Sequence, residues 1–226
     1  MHIPDGYLSP STGGLFFVIM LPIWAAASHK VKKTLKLKQV PLMAIGAAFS
    51  FVIMMFNVPI PGGSTGHAIG GALLAILLGP WTATVAISVA LVVQALLFGD
   101  GGITAIGANC FNMAFVLPFT AYYVYKMIGY GAATGSSRRI WAAAIAGYIG
   151  INVAALCAGI EFGVQPLLFH TASGQALYCP YGLNVAVPAM LGGHMLVFGW
   201  VEALVTALVI MFLQKQSPEI IGEGDK

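Results

Sequence analysis

The chain has 226 residues, of which 59% are hydrophobic and 8% are charged, with a formal net charge of +3. Its mean hydropathy is +0.90. Soluble domains carry roughly 25% charged residues, so this composition excludes an ordinary soluble protein and indicates an integral membrane protein.

The chain opens with MHIPDGYLSP, and a long apolar run follows before the first lysine, Lys30. A secretory signal would have a basic start, a short apolar core and a cleavage site. We therefore expect Met1 to remain the N-terminus, since residue 2 is also too bulky for the usual removal of methionine. Ser9 and Pro10 predict the start of a helix, with Ser9 as its N-cap.

The sequence Ile3-Pro4-Asp5-Gly6 has the proline, acid and glycine order of a tight turn. We expect the chain to fold back there, so that Met1 and His2 point away from solvent and down among the outer ends of the helices. Apolar surface for docking this segment would come from Ile3, Tyr7 and Leu8.

A membrane-spanning helix needs about 20 apolar residues, and the sequence predicts seven such helices in one domain. The uncharged run 66–98 is too long for one helix and is broken at Gly79-Pro80, so it is divided into two short spans. No repeat or linker interrupts the series, which predicts a single transmembrane domain over 1–226. The predicted spans are 10–28, 40–56, 66–79, 81–98, 105–125, 140–160 and 184–213.

The distribution of basic residues supports this count, because Lys and Arg accumulate on the cytoplasmic side. With seven spans and the N-terminus outside, residues 214–226 form a cytoplasmic tail and the outer loops carry no basic residue. A single span over 66–98 would instead move three basic residues outside. The ten that lie on the inner side in the seven-span prediction are Lys30, Lys32, Lys33, Lys36, Lys38, Lys126, Arg138, Arg139, Lys215 and Lys226.

The free N-terminus followed by histidine is a metal chelate by its covalent arrangement. The α-amine of Met1, the backbone nitrogen of His2 and the His2 imidazole can all reach one ion through small, unstrained rings. If the ion displaces the amide proton, these three nitrogens lie in one plane and a fourth nitrogen completes a square. Square-planar nitrogen donors favour Ni(II) or Cu(II), and their deprotonation makes binding weaker at low pH.

The fourth nitrogen must come from a histidine on the outer face. His29 is excluded by its position in the cytoplasmic lysine cluster, where it is interpreted as a solvated loop residue. His67 follows the outer loop GGSTG, whose glycines allow close backbone approach. His170, in the outer stretch from Glu161 to Gly182, and His194, within the last span, are also possible ligands, although each could simply bond between helices.

Other polar residues lie within the predicted spans. Glu202 falls near the middle of the membrane, where an ionisable group is a functional candidate, but it could equally pair with an asparagine on a neighbouring helix or be protonated. The remaining polar residues are Gln94, Asn109, Asn112 and Asn152. The cysteines Cys110, Cys157 and Cys179 show no CxxC spacing, so a disulfide framework or zinc ribbon is not indicated, and the first two are interpreted as buried packing residues.

The initial MHIPDG, the later GGSTGH and seven spans of this length resemble the NikM/CbiM family, the nickel and cobalt substrate-binding membrane subunits of energy-coupling-factor (ECF) transporters. The resemblance covers essentially the whole chain. It implies a six-helix core with one added N-terminal helix, and a leading segment, 1–9, that enters the centre of the bundle and carries the metal. It also implies a square plane of nitrogens from Met1, His2 and His67.

The resemblance further implies partners in the cell membrane. These are two cytoplasmic ABC-type ATPases, a transmembrane coupling protein, and a small accessory membrane protein of the NikN/CbiN type. The sequence lacks a phosphate-binding loop of its own, so energy must come from another chain. Ala44 and Ala48 form an AxxxA face suited to close helix contact, either with the coupling protein or within the bundle. No organic cofactor and no nucleic acid are expected.

Two other functions remain open at this point. An intramembrane hydrolase could use Ser64 or Thr65 with His67, although residues so close in the chain are poorly placed as nucleophile and base. An ion-coupled secondary transporter could relay protons through Glu202, although no internal repeat is visible. The sequence does not decide between nickel and cobalt, because the inherent affinity order alone would favour copper.

Overall fold

The computed structural model describes residues 1–223, so Lys226 of the predicted tail lies outside the described residues. After an N-terminal segment the chain forms helices joined by short connections, and one small antiparallel pair of strands. The strands are β1 (Val58–Pro59) and β2 (Thr65–Gly66). The helices are α1 (Pro10–Thr34), α2 (Val40–Met54), α3 (Gly71–Leu78), α4 (Pro80–Val93), α5 (Ile106–Asn109), α6 (Leu117–Gly129), α7 (Ser137–Gly163), α8 (Gln165–Leu168), α9 (Leu183–Gly193), α10 (Gly199–Gln216) and α11 (Pro218–Glu223).

Wide turns of π-helix extend or join some of these helices. Gln94–Phe98 continues α4, Cys110–Val116 joins α5 to α6, and His194–Phe198 joins α9 to α10. Turns of this kind are frequent at functional sites because the extra residue changes the direction of nearby side chains. Each turn contains a buried polar residue: Gln94, Asn112 and His194 respectively.

Within residues 1–223, five continuous helices are long and apolar enough to cross a membrane: Pro10–Thr34, Leu37–Met54, Pro80–Phe98, Ser137–Leu168 and Leu183–Gln216. They correspond to five of the seven predicted spans. The predicted helix over 66–79 is wrong in extent, because α3 begins only at Gly71 and residues 67–70 are not helical. The predicted span 105–125 is helical from Ile106 to Gly129 but is not one of the five.

Three smaller predictions also need correction. His29 lies within α1, which continues to Thr34, and not in a loop. Glu161 lies within α7 and is buried, so the connection on that side begins only after Gly163. Cys110 is buried as predicted, but Cys157 is only partly buried.

The short helix α3 lies at the centre of the bundle, with Gly71 through Leu77 buried. It packs against α4, α6 and α7. The buried face of α7 consists largely of alanine and glycine, which lets neighbouring backbones approach closely. A methyl group added at Gly147 would lie 3.2 Å from the backbone oxygen of Glu202 in α10. This close packing brings α10 near enough to α3 for Glu202 to reach its N-terminus.

Candidate metal centre

The N-terminal segment folds back into the bundle as the sequence predicts. Tyr7 N–H donates to Pro4 O at 3.3 Å, and Gly6 has a φ of 84°, so Pro4–Tyr7 is a tight turn. The predicted N-cap is confirmed by the bond from Thr12 N–H to Ser9 Oγ at 3.1 Å. Met1 is fully buried and His2 keeps only 3% of its exposure.

Asn109 holds the backbone of this segment in place. Its Oδ1 accepts from Ile3 N–H at 2.8 Å, and its Nδ2 donates to Ile3 O at 3.1 Å. Gly102 N–H also donates to Ile3 O, at 2.8 Å. Because the amide pairs with both polar groups of one residue, it fixes the position and direction of the chain immediately after His2.

Asp5 fastens the turn to the loop that precedes α5. Its Oδ1 accepts from Thr104 N–H at 2.9 Å and its Oδ2 accepts from Ile103 N–H at 3.1 Å. The hydrogen bonds from Thr104 lower the pKa of Asp5. The carboxylate is therefore engaged with this loop.

The terminal amine and two imidazole rings meet inside the bundle. The Met1 amine donates to the backbone oxygen of Thr65 and to Thr65 Oγ1, the latter at 2.9 Å. The His2 ring stacks on the His67 ring, with centroids 4.6 Å apart and planes inclined by 28°. Met1, His2 and His67 are thus brought together, as the chelate hypothesis requires.

Glu202 positions the segment that carries His67. Its Oε2 accepts from Ile69 N–H at 2.7 Å and Gly70 N–H at 2.9 Å, and its Oε1 accepts from Ala72 N–H at 3.3 Å. A carboxylate at a helix N-terminus satisfies amides that lack helical partners. The asparagine pair expected from the sequence is wrong, because the side chain instead acts as the cap of α3.

Three imidazole nitrogens in this region are buried without a hydrogen-bond partner: His2 Nδ1, His67 Nε2 and His194 Nε2. The other nitrogen of His67 lies 3.1 Å from Ala68 O, and that of His194 lies 2.7 Å from Met190 O. A carbonyl only accepts, so in both rings Nδ1 carries the proton and Nε2 presents a lone pair. This fixed tautomer is typical of histidines that bind a metal.

Within the described residues, no group of three or more His, Cys, Asp or Glu side chains could by itself hold an ion. The nitrogens of the chain terminus are further donors that such a group of side chains does not include. Burial lowers the pKa of the Met1 amine well below its usual value, although the negative charge of Asp100 acts to raise it. Burial likewise lowers the pKa of His2 to about 3. His2 is therefore neutral at pH 7, and the lowered pKa of the Met1 amine favours its neutral form, which has a lone pair available for a cation.

Asp100 is a neighbour of this cluster that the sequence reasoning missed. Its Oδ1 lies 3.3 Å from His2 Nδ1, although the geometry is not that of a hydrogen bond. Asn57 Nδ2 donates to both of its carboxylate oxygens at 3.2 Å. Burial raises the pKa of Asp100, and the Met1 amine and Asn57 oppose that rise. The sequence did offer one signal for Asp100, which is an acidic residue within the glycine-rich GDGG stretch.

The other candidates lie elsewhere or have other partners. His170 is exposed and forms a β-bridge with Ala176, so it does not join the cluster. Ser64 Oγ lies 4.0 Å from Met190 Sδ, and Thr65 Oγ1 contacts the Met1 amine. Both hydroxyls thus have partners other than His67, whose Nδ1 donates to Ala68 O. A nucleophile and base pair for hydrolysis is therefore not assembled here.

Known proteins resemble this chain over nearly its whole length. Residues 2–220 match the model of a family described as the cobalt uptake substrate-specific transmembrane region. The fused nickel transport protein NikMN of Rhodobacter capsulatus is 55% identical over 222 residues, which cover 98% of this chain and 64% of that protein. The chain thus spans slightly less than two thirds of this relative.

Two solved structures also match. A crystal structure of a truncated transition-metal transporter superposes with a TM-score of 0.91 at 55% identity, covering 96% of this chain and 99% of that one. A second transition-metal transporter gives the same TM-score at 56% identity, and 93% of that chain is covered.

Proposed function

The chain belongs to the family of cobalt uptake substrate-specific transmembrane regions, the NikM/CbiM family, and on this basis we propose that it is the substrate-binding subunit of an ECF-type importer. Its substrate is Ni(II) or Co(II), captured from the outer side of the cell membrane. The family description names cobalt and the Rhodobacter relative is named for nickel, so both ions are included in the proposal.

In the proposed site, four nitrogens surround the ion in a plane: the Met1 amine, the His2 backbone nitrogen, His2 Nδ1 and His67 Nε2. The observation that carries this proposal is that His2 Nδ1 and His67 Nε2 are both buried and unpaired on rings stacked 4.6 Å apart. Leaving two such atoms unsatisfied is unfavourable in a low-dielectric interior. Binding of a cation supplies the missing partner for both.

The proposed topology has seven membrane crossings, with the N-terminus outside and the tail inside. The basic residues of the first inner connection and of the 126–139 connection then all face the cytoplasm. In this topology the chain 66–78 makes one crossing, as a non-helical segment followed by α3.

We propose that ATP hydrolysis occurs on partner chains, namely two ABC-type ATPases and a transmembrane coupling protein, with a small NikN/CbiN-type accessory protein. Ala44 and Ala48 are exposed on α2, which supports a role of this face in contact with the coupling protein. Release of the ion follows from movement of the subunit driven through that contact.

The test is metal binding by the purified chain after stripping with a chelator and equal loading with Ni(II), Co(II), Zn(II) and Cu(II). The proposal predicts one tightly bound Ni(II) or Co(II) per chain, lost in His67→Ala and kept in His170→Ala. No bound metal in the wild type, or equal binding in His67→Ala, would contradict the proposed site.

A further inference from the structure

Asp100 connects the buried chelate to the protein surface. Its side chain retains 16% of its exposure, whereas that of His2 retains 3%, and the two approach to 3.3 Å between Oδ1 and Nδ1. Asp100 lies on the connection between the end of α4 and α5. A cation that reaches His2 Nδ1 from this side therefore meets the carboxylate first.

The hydrogen bonds of Gln94 determine the tautomer of His2, and so whether the nitrogen that faces Asp100 carries a proton or a lone pair. Gln94 Nε2 donates to Phe51 O at 3.1 Å, so its Oε1 is the atom that lies 3.2 Å from His2 Nε2. An amide oxygen only accepts, so His2 Nε2 carries the proton and Nδ1 of the neutral ring is an acceptor. Two acceptors, Nδ1 and the carboxylate oxygen, thus face each other with no donor between them.

The distance between these two acceptors suits a shared ion. Ligand atoms at about 2.0–2.2 Å from one ion are separated by about 3 Å when they occupy adjacent positions around it. The observed 3.3 Å is close to that separation. Asp100 Oδ1 and His2 Nδ1 are therefore placed to share an incoming ion, before it enters the nitrogen plane, with little movement of either side chain.

The structure holds Asp100 at this place through the residues that hold His2. Asp100 N–H donates to Gln94 O at 3.1 Å, and the side chain of the same glutamine bonds to His2. Asn57 fixes the carboxylate from the other side. Gly101, with a φ of 89°, lets the loop approach the ring, since a methyl group there would lie 3.3 Å from His2 Cδ2. Hydrogen bonds to its backbone and to its side chain therefore hold the Asp100 carboxylate beside His2.

Charge balance gives the carboxylate a second use. In the proposed chelate a doubly charged ion is bound by one deprotonated amide and three neutral nitrogens, which leaves a net charge of +1. A buried unpaired charge is costly, and a nearby opposite charge reduces that cost. Asp5 and Glu202 are engaged with Thr104 and with the N-terminus of α3 respectively. Asp100 contacts His2 itself.

We propose that Asp100 is the entry carboxylate of the site: it contacts the incoming divalent cation first, passes it to His2 Nδ1, and remains beside the loaded chelate as its counter-charge. This inference rests on the function proposed above and adds the residue that governs the rate of capture. Asp100 is not one of the four in-plane ligands, so the visible absorption spectrum of the bound Ni(II) should not depend on it.

The experiment is stopped-flow mixing of the purified full chain with Ni(II) at several ionic strengths, followed by the visible absorption of the bound ion. Asp100→Asn should slow association on the order of tenfold and remove most of its dependence on salt, with an unchanged final spectrum. Asp100→Glu should recover both rate and salt dependence. Asn57→Ala, which keeps the charge but releases the carboxylate, should slow association less than Asp100→Asn.

His170→Ala is the control, because it removes an exposed polar side chain that does not join the cluster, and its association rate should stay within about twofold of the wild type. Wild-type rate and salt dependence in Asp100→Asn would overturn the inference. So would a changed Ni(II) spectrum in Asp100→Asn, which would make Asp100 an in-plane ligand. A wild type that binds no Ni(II) would instead contradict the proposed function itself.

Discussion

The imidazole of His2 lies stacked on that of His67, with ring centroids 4.6 Å apart, and each ring has one buried nitrogen without a partner. This arrangement removes both nitrogens from water without giving them a compensating hydrogen bond. Structures that retain such an unfavourable arrangement commonly do so for function. The pair is therefore expected to contribute to metal binding and not to the stability of the fold.

Replacement of His67 separates these two contributions. His67→Ala should weaken Ni(II) binding by more than about 100-fold, beyond the 10–100-fold typical of outer partners of a metal site. Its thermal unfolding without metal should remain close to that of the wild type. Competition with a coloured chelator measures the affinity. If His194→Ala abolishes binding while His67→Ala does not, the fourth ligand is His194, whose Nε2 is also buried and unpaired.

Loss of the Asn109 clamp should release the N-terminal segment. In Asn109→Ala the N–H and carbonyl of Ile3 lose their side-chain partner, so Ni(II) affinity should fall about 10–100-fold. Amide hydrogen exchange of residues 2–8 should become faster in the same variant. Asn152→Ala is the control, because the side chain of Asn152 donates to Tyr148 O within its own helix and not to the N-terminal segment. Slow exchange and full affinity in Asn109→Ala would refute the role of the clamp.

Glu202 should stabilise the segment that carries His67. Glu202→Ala leaves the N–H groups of Ile69, Gly70 and Ala72 without their acceptor, which should lower the stability by on the order of 3 kcal/mol. Glu202→Gln retains one acceptor oxygen and should lose only about 1 kcal/mol. Thermal unfolding in detergent should rank the variants in that order. Thr206→Ala is the control, because Thr206 lies on the same helix as Glu202 and its buried hydroxyl has no hydrogen-bond partner. Its stability should stay near that of the wild type. A loss of stability equal to that of Glu202→Ala would contradict the capping role.

The exposed alanines of α2 allow the partner contact to be tested apart from metal binding. Ala44→Leu with Ala48→Leu should disrupt copurification with the coupling protein, because the larger side chains prevent close helix contact. Ni(II) binding by the isolated chain should be unchanged. Ala26→Leu adds the same bulk at an exposed position of α1 and should leave the complex intact. A complex that survives both α2 substitutions would exclude this face as the contact.

Local chemistry in the sequence predicted much of the N-terminal segment. The order of proline, acid and glycine at residues 4–6 predicted the turn, and Ser9-Pro10 predicted the start of α1, because both depend on neighbouring residues. The burial of Met1 and His2 followed from that turn. The five long apolar helices were predicted by hydropathy, which depends only on composition within a window.

Contacts between distant residues account for what the sequence did not predict. The run 66–79 is apolar throughout, so hydropathy could not show that α3 begins only at Gly71. The start is set by Glu202, which is 133 positions from Ile69 and caps that N-terminus. The GDGG sequence marks Asp100 as a loop acid but could not place it beside His2, because that position depends on Asn57 and on the turn after Gln94.

The central proposal is that the Met1 amine is one of the metal ligands. The most direct measurement compares Ni(II) binding by one protein before and after removal of an N-terminal extension. The extension lacks histidine and ends at a protease site that leaves Met1 as the first residue. Before cleavage the Met1 nitrogen is an amide within the chain, and Ni(II) binding should be absent. After cleavage, one Ni(II) per chain with a square-planar spectrum is predicted. Equal Ni(II) binding by the two forms would contradict the terminal chelate.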